Sequence, residues 1–429
     1  MRVDLHFGRT GLSVELPPGP AYSILEARWA HALADEDAAI REALDAPIGC
    51  APLAELAHGK KSAAISVCDI TRPAPNRRTL PHVLARLESA GIRKSEITIL
   101  IDTGLHRLAT PQEIVEILGE EIAGSYPIAN HNARELADHR ALGATKSGTP
   151  VFIDRRFTDA ELHITLGFIE QHLMAGFSGG RKLIAPGLAY QETIKTLHSP
   201  RFMRDKRAVE GSIEENPLHQ ELLEIAGLAG HDFICDVVLA EGRRIAAVFA
   251  GDPREAHMAG IEFVRRETTQ WIPEPVDAVI TTAAGYPLDL TFYQAVKGVT
   301  ASSHLLKPGG LILLAAACEE GCGAAEFSRL MKESSGPAEF LQTISGTPVT
   351  VDQWQLEKLA IAAQRHEIWY YVPGLPPEYH SYLWGRDFSS AREALEALAE
   401  RVGAHGKVAV IPEGPYVFAR PEAPEAVRA

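Results

Sequence analysis

Residues 162–200 read LHITLGFIEQHLMAGFSGGRKLIAPGLAYQETIKTLHSP. The first eight form an apolar, β-branched run of strand length, and a polar, glycine-punctuated segment opens at their carboxyl end. Upstream, KSAAISVCD (61–69) and SEITILID (95–102) are further buried-strand runs. Between them, Arg77–Ala90 has helical apolar spacing at Leu80, Val83, Leu84 and Leu87. TPQEIVEILGEEIAG (110–124) begins with Thr-Pro and places Glu113 three residues after Thr110, a helix-start signature. Strands alternating with helices predict βαβ units and a parallel sheet. Asp69, Arg72, His106 and His172 then lie just past the carboxyl ends of predicted strands, the edge where open α/β sheets bind ligands.

The alternation resumes downstream. VDAVITT (276–282), KPGGLILLAAAC (307–318), EIWYYV (367–372) and KVAVIPEG (407–414) read as strands. Leu290–Leu306, AAEFSRLMKE (324–333), WQLEKLAIAAQR (354–365) and SAREALEALAERV (390–402) read as helices. The Pro-rich stretch WIPEP (271–275) marks a boundary. The expectation is two α/β domains, 1–271 and 276–429, with mixed or parallel sheets flanked by helices and an active-site cleft between them. The first 19 residues, MRVDLHFGRTGLSVELPPG, alternate like a strand pair, and the tail after Arg420 is expected to be loose.

A chain of 429 residues exceeds one ordinary core, and 46% hydrophobic with 23% charged residues fits a globular protein. No run of about 18 uncharged apolar residues appears, and the first residues lack the apolar centre of a secretory signal. A cytoplasmic location with no membrane partner is expected. A net charge of −14 disfavours nucleic acid and anionic membranes. It leaves a small anionic substrate open, because local cations decide that. Five cysteines spread over the chain fit a reducing compartment with no disulfide framework. Cys318 and Cys322 are close in sequence but have no second Cys/His pair nearby to complete a metal site.

The segment 167–200 gathers His172, His198 and Lys182 around Gly179 and Gly180. Imidazoles serve as metal ligands or proton carriers, and a lysine beside glycines can reach a phosphate or a covalent cofactor. A phosphate-binding loop would need Gly-Lys-Ser/Thr in succession; here Arg181 precedes Lys182 and Leu183 follows it. Three imidazoles, His106, His172 and His198, with a water would make a zinc hydrolase site, an alternative that leaves Lys182 unexplained. Arg72 offers a planar fork for a carboxylate. FYQAVKG (292–298) puts Tyr293, Gln294 and Lys297 within about one helical turn.

Four blocks, DITRPAPN (69–76), DTGLHR (102–107), the 167–200 segment and FYQAVKG, occur in the order and form of the lactate racemase family, which this chain resembles. The resemblance implies a racemase or epimerase of a 2-hydroxy carboxylate such as lactate, malate or a related acid. It implies a nickel-pincer nucleotide cofactor tethered through Lys182, with His198 as the metal ligand. The reaction implied is proton-coupled hydride transfer through a 2-keto acid, with His106 and His172 as proton carriers. Arg72, Lys297 and Gln294 would bind substrate; Asp69, Gly179, Gly180, Tyr293, Gln294 and Trp354 would bind cofactor. Asp69 is read as orienting Arg72 or reaching the cofactor phosphate through water. Arg181 is read as pairing with the nucleotide phosphate or with a dicarboxylate's second charge. The partners implied are the hydroxy acid and, transiently, cofactor-synthesis proteins. A non-catalytic carrier of the cofactor is the other alternative; it would have no need for both His106 and His172.

Overall fold

The structure, a computed structural model, describes residues 1–422. The chain divides into two compact units, neither contiguous in sequence: residues 29–198 with 205–267, and residues 1–28 and 199–204 with 268 onward.

The first unit is built on a six-stranded sheet, in the order Ile245–Gly251, Phe233–Leu239, His163–Phe168, Ala63–Cys68, Ile97–Asp102, Ile128–Asn130. All neighbours are parallel except the antiparallel pair 233–239/245–251. Ala63–Cys68 is buried at every position. A strand covered on both faces reads as a near-continuous apolar run, which AAISVC supplies, its one hydroxyl, that of Ser66, donating to the Leu183 carbonyl. Ile65, Val83, Leu87 and Ile99 are fully buried in the same core, and each contributes about 1.5–3 kcal/mol by leaving water. Val67 stands in register with Ile101 and Leu166, and Leu166 with Cys235. Four strands therefore end at one edge.

The helix expected over 110–124 is two helices, Pro111–Leu118 and Glu120–Ser125. Its start is a capping box, with Thr110 accepting from the Glu113 amide and Glu113 from Thr110. Such caps contribute about 0.5–2 kcal/mol. Gly119 adopts a positive φ of 87° and breaks the run.

The second unit carries an all-parallel six-stranded sheet in the order Arg386–Asp387, Glu367–Tyr371, Leu306–Ala315, Val276–Thr282, Lys407–Ile411, Ala21–Ile24. The helices Phe292–Ser302, Gln353–Arg365 and Ala391–Val402 pack on it. The expected strand pair at the start of the chain is present as Arg2–Leu5 against Leu12–Glu15. The α/β class with parallel and mixed sheets flanked by helices is thus the observed one. The tail expected to be loose begins inside the short strand Ala419–Pro421, and from residue 423 it lies outside the described residues. Among the described residues no helix is long and apolar enough to cross a membrane.

Candidate active site

Asp69 is the first residue past the strand Ala63–Cys68, and the loop it opens is tied down locally. Its Oδ1 accepts from the Thr71 amide (3.1 Å) and hydroxyl (2.6 Å). Asn76 Nδ2 donates to the Cys68 carbonyl at 3.1 Å, which closes the loop onto the helix Asn76–Ser89. The other carboxylate oxygen, Oδ2, lies 2.7 Å from His106 Nδ1. The side chain of His106 is 48% exposed and that of Asp69 5%. Burial pushes the Asp69 carboxyl up, but the hydrogen bonds of His106 and Thr71 and the charge of Arg72 outweigh it and hold it below the usual range. Asp69 is therefore ionised and serves His106, where the sequence pointed to Arg72 or a cofactor phosphate.

His172 lies in a two-residue strand, Gln171–His172, paired with Gly176–Phe177. Its Nδ1 accepts from the backbone amides of Ala175 (3.2 Å) and Met174 (3.5 Å). The hairpin requires glycine at 176: a Cβ there would sit 1.9 Å from the Ser212 carbonyl oxygen. Burial and the charges of Lys182, Arg72 and Arg181 hold His172 well below the ordinary imidazole range.

Lys182 sits in the 3₁₀ turn Gly180–Leu183. The glycines before it make room for a protein group. A Cβ on Gly179 would meet Asp236 Oδ2 at 2.5 Å, and the Gly180 amide donates to that oxygen at 2.7 Å. Burial, then the charges of Arg72 and Arg181, bring the Lys182 ammonium down to about 7. Among the described residues neither Lys182 nor Arg72 forms an ion pair with a carboxylate. Asp102, at the end of its strand, is pushed well above the carboxylate range by burial and by Asp69, against the charges of Arg72 and Lys182.

Arg181 departs from the sequence expectation. It is 1% exposed. Its Nη2 donates to the Ala175 (2.9 Å) and Phe177 (3.1 Å) carbonyls. Its Nη1 reaches the Ser178 and Gly179 carbonyls at 3.4 Å and His257 Nε2 at 3.1 Å. A guanidinium so committed to backbone is a scaffold, unavailable to a phosphate or a substrate carboxylate. Asp236, His257 and Asp102 escaped the sequence reading. An aspartate inside the apolar run FICDVVL (233–239) was the one local signal.

His198 caps the helix Gln191–Leu197, with Nδ1 2.8 Å from the Ile194 carbonyl. A carbonyl only accepts, so Nδ1 carries the hydrogen and Nε2 is the lone-pair nitrogen. Burial lowers this imidazole to about 4, so it is neutral at pH 7. His131, read as structural, is fully buried between Asp154 and the Ala189 carbonyl.

In the second unit, the Tyr293 hydroxyl donates to Asp352 Oδ1 at 2.9 Å, and its ring meets Phe327 edge-on. Gln294, one residue on, buries an Oε1 with no hydrogen-bond partner among the described residues. Lys297 lies on the same helix, and Trp354 is the second residue of Gln353–Arg365. Asp69, Arg72, His106, His172, Gly179, Gly180, Lys182 and His198 thus belong to the first unit, and Tyr293, Gln294, Lys297 and Trp354 to the other. Among the described residues no group of three or more His, Cys, Asp or Glu is placed to hold a metal ion. The three-histidine zinc site is therefore not formed. Cys318 and Cys322 are buried free thiols.

Two family models match the chain: the lactate racemase N-terminal domain over residues 7–211 and the lactate racemase C-terminal domain over residues 272–419. A lactate racemase of Thermoanaerobacterium thermosaccharolyticum is 35% identical over 424 residues, covering 97% of this chain and 99% of that one. A lactate racemase of Lactiplantibacillus plantarum is 35% identical over 395 residues, covering 91% and 92%. The structure of the Thermoanaerobacterium lactate racemase apoprotein matches with a TM-score of 0.90 at 34% identity, covering 98% of this chain and 100% of that one. A Thermotoga maritima protein matches at TM-score 0.66 and 15% identity, over 90% of this chain and 98% of its own, and shares the fold alone. The chain belongs to the lactate racemase family and is an enzyme of the isomerase class.

Proposed function

We propose that this protein interconverts the enantiomers or epimers of a 2-hydroxy carboxylate with the help of a nickel-pincer nucleotide, and that lactate is the first substrate to test. The observation that carries this reading is the convergence of Arg72 and Lys182 on the half-buried His172, each cation acting on it electrostatically and Lys182 brought down to about 7 by desolvation and by Arg72 and Arg181. Cations gathered at one strand edge favour a small anionic ligand there.

The residues present fit the cofactor. His198 offers a neutral imidazole whose Nδ1–H is anchored and whose Nε2 lone pair suits a nickel ion. Lys182, with its ammonium brought down to about 7, supplies the neutral amine that a covalent tether requires. When bound, the cofactor would supply the acceptor and donor for the substrate's Cα hydride. The chain's own residues do the rest. Arg72 grips the carboxylate in a bidentate fork. His106, held by the Asp69 carboxylate, takes the hydroxyl proton at Nε2 and returns it. Lys297 and Gln294 are proposed as further substrate contacts, and Tyr293, Gln294 and Trp354 as cofactor contacts. Because Arg181 is spent on backbone carbonyls, it does not supply the extra cation a dicarboxylate would need, which favours lactate over malate.

Protein co-produced with the cofactor-synthesis proteins tests the reading. It should show an added intact mass that Lys182→Ala lacks, about one nickel per chain, and interconversion of D- and L-lactate. Nickel and added mass with no turnover of any hydroxy acid would favour a cofactor carrier. Zinc with no added mass would sink the proposal.

A further inference from the structure

His198 is the last residue of the first unit before the chain leaves it. Residues 199–204 fold with the second unit, and the chain returns to the first at Asp205. The sequence sets the crossing point. Pro200 disfavours helical geometry at the residue before it, and Ser199 is extended at φ −74° and ψ 159°, so the helix Gln191–Leu197 stops at His198. The six residues make a stiff strap. The Ser199 carbonyl accepts from the amides of Phe202 and Met203 at 3.0 Å each, and that of Pro200 from the Arg204 amide at 3.1 Å. Phe202 and Met203 are buried.

The far end of the strap is clamped by residues on and beside the helices Pro337–Ile344 and Gln353–Arg365. Lys358 Nζ donates to the Met203 carbonyl at 3.0 Å. Arg204 donates three ways: Nε to Glu357 Oε1 and Nη1 to Ser345 Oγ, both at 2.7 Å, and Nη2 to the Leu341 carbonyl at 2.5 Å. The Glu357 side chain is 0% exposed, and its second oxygen has no hydrogen-bond partner among the described residues. An apolar residue of that size would fill the place with no charge to desolvate, so an ion pair enclosed here points to placement rather than stability. Trp354 and Lys358 are four residues apart on one helix and share a face.

We infer that the strap is a positioning device for His198: through Arg204 and Met203, the residues Glu357 and Lys358 fix the backbone that continues from this histidine, whose Nδ1 is bound to the Ile194 carbonyl on its other side. The placement follows from the distances, whereas its meaning, a nickel ligand held at both ends, rests on the cofactor reading proposed above. Glu357 and Lys358 are positioning residues and act only through the strap. Outer partners of a metal ligand set metal affinity by about 10–100-fold. Lys182, the tether, lies in the turn Gly180–Leu183 and not on the strap. Loosening the clamp should therefore release the metal and leave the covalent attachment in place.

The test compares Glu357→Gln, or Lys358→Met should the glutamine variant not fold, with Leu398→Ala, a cavity-forming change in a core cluster of the second unit that does not include the strap. Loaded full-length protein is mixed with a chelator and nickel release is followed. Release should be about 10–100-fold faster in the clamp variant than in the parent, with the mass added on Lys182 retained, and unchanged in Leu398→Ala. Release at the parent's rate, or the same acceleration in Leu398→Ala, would overturn the inference. In the ligand-free protein, the ¹⁵N–¹H signal of His198 Nδ1, assigned by its loss in His198→Gln, should shift in the clamp variant and hold its place in Leu398→Ala. A signal that the clamp variant leaves unmoved would overturn the inference too. A parent protein that takes up neither nickel nor added mass would sink the cofactor reading, and the ligand-free signal would still decide the placement.

Discussion

Two loops of the first unit carry the same residue type into one site by opposite means. The loop pair after Ala63–Cys68 and Ile97–Asp102 holds His106 half-exposed and fixes it with a charge, the carboxylate of Asp69. The hairpin and turn from Gln171 to Leu183 hold His172 and Lys182 half-buried, His172 against neutral backbone amides and the turn around the enclosed guanidinium of Arg181. The first device orients its imidazole through Nδ1, and the second lowers the basicity of the imidazole it holds. Two histidines of one residue type can thus be set apart by their surroundings.

The most severe break in this contrast is Lys182→Ala. It should leave the intact mass at the apoprotein value after co-production with the cofactor-synthesis proteins and abolish turnover, whereas Lys182→Ala protein that still gains mass would exclude the tether. Next is Asp69→Asn, which replaces an acceptor by a group that can also donate. It should lower kcat on lactate by about 10²-fold or more, with nickel content unchanged, because His198 is anchored separately through Ile194. Arg181→Ala should act on folding: stripping the Ala175 and Phe177 carbonyls of their donor and leaving a cavity is expected to remove about 3–5 kcal/mol. Urea unfolding measures it, and an effect under about 1 kcal/mol would show that the hairpin stands without the guanidinium.

The smallest effect concerns Asp236, on which the glycine pair rests. Burial raises its carboxyl to about 7, against the pull of the Gly180 amide and the charge of Arg181. Between the unfolded value near 4 and this folded value, the native state binds a proton that the unfolded state does not. The contribution of protonated Asp236 is fully present at the acid end and is lost as pH rises through about 7. Asp236→Asn should therefore gain on the parent protein by about 2–3 kcal/mol between pH 5 and pH 8. A stability difference that is flat across that range would mean the carboxyl is ionised throughout.

Much of this was legible in the sequence for physical reasons. Ala63–Cys68 and Val276–Thr282 announce themselves because strands covered on both faces are rich in small and β-branched apolar residues, with few polar positions. The histidines and Lys182 stood out through the resemblance of their sequence blocks to the lactate racemase family, and local spacing alone left them ordinary. What stayed hidden depends on contacts far apart in sequence. Arg181 looks like a ligand cation until the four carbonyls enclosing it are in place. Gly179 and Gly180 also admit a protein group that local sequence does not announce, Asp236, 56 residues further along the chain from Gly180. Asp69 looks like a partner for Arg72, three residues away, and instead meets His106 from the next strand's loop.

The edge strand Ala21–Ile24 has a consequence of timing. Its only ladder partner among the described residues, Lys407–Ile411, is made about 385 residues later. At roughly 5–20 residues per second that interval lasts some 20–80 s on the ribosome. Residues 29–198 and 205–267 of the first unit can collapse during it, while Ala21–Ile24 waits without its ladder neighbour. A message truncated before residue 407 yields a protein with every residue of the first unit and a second sheet in which Ala21–Ile24 has lost the strand it pairs with.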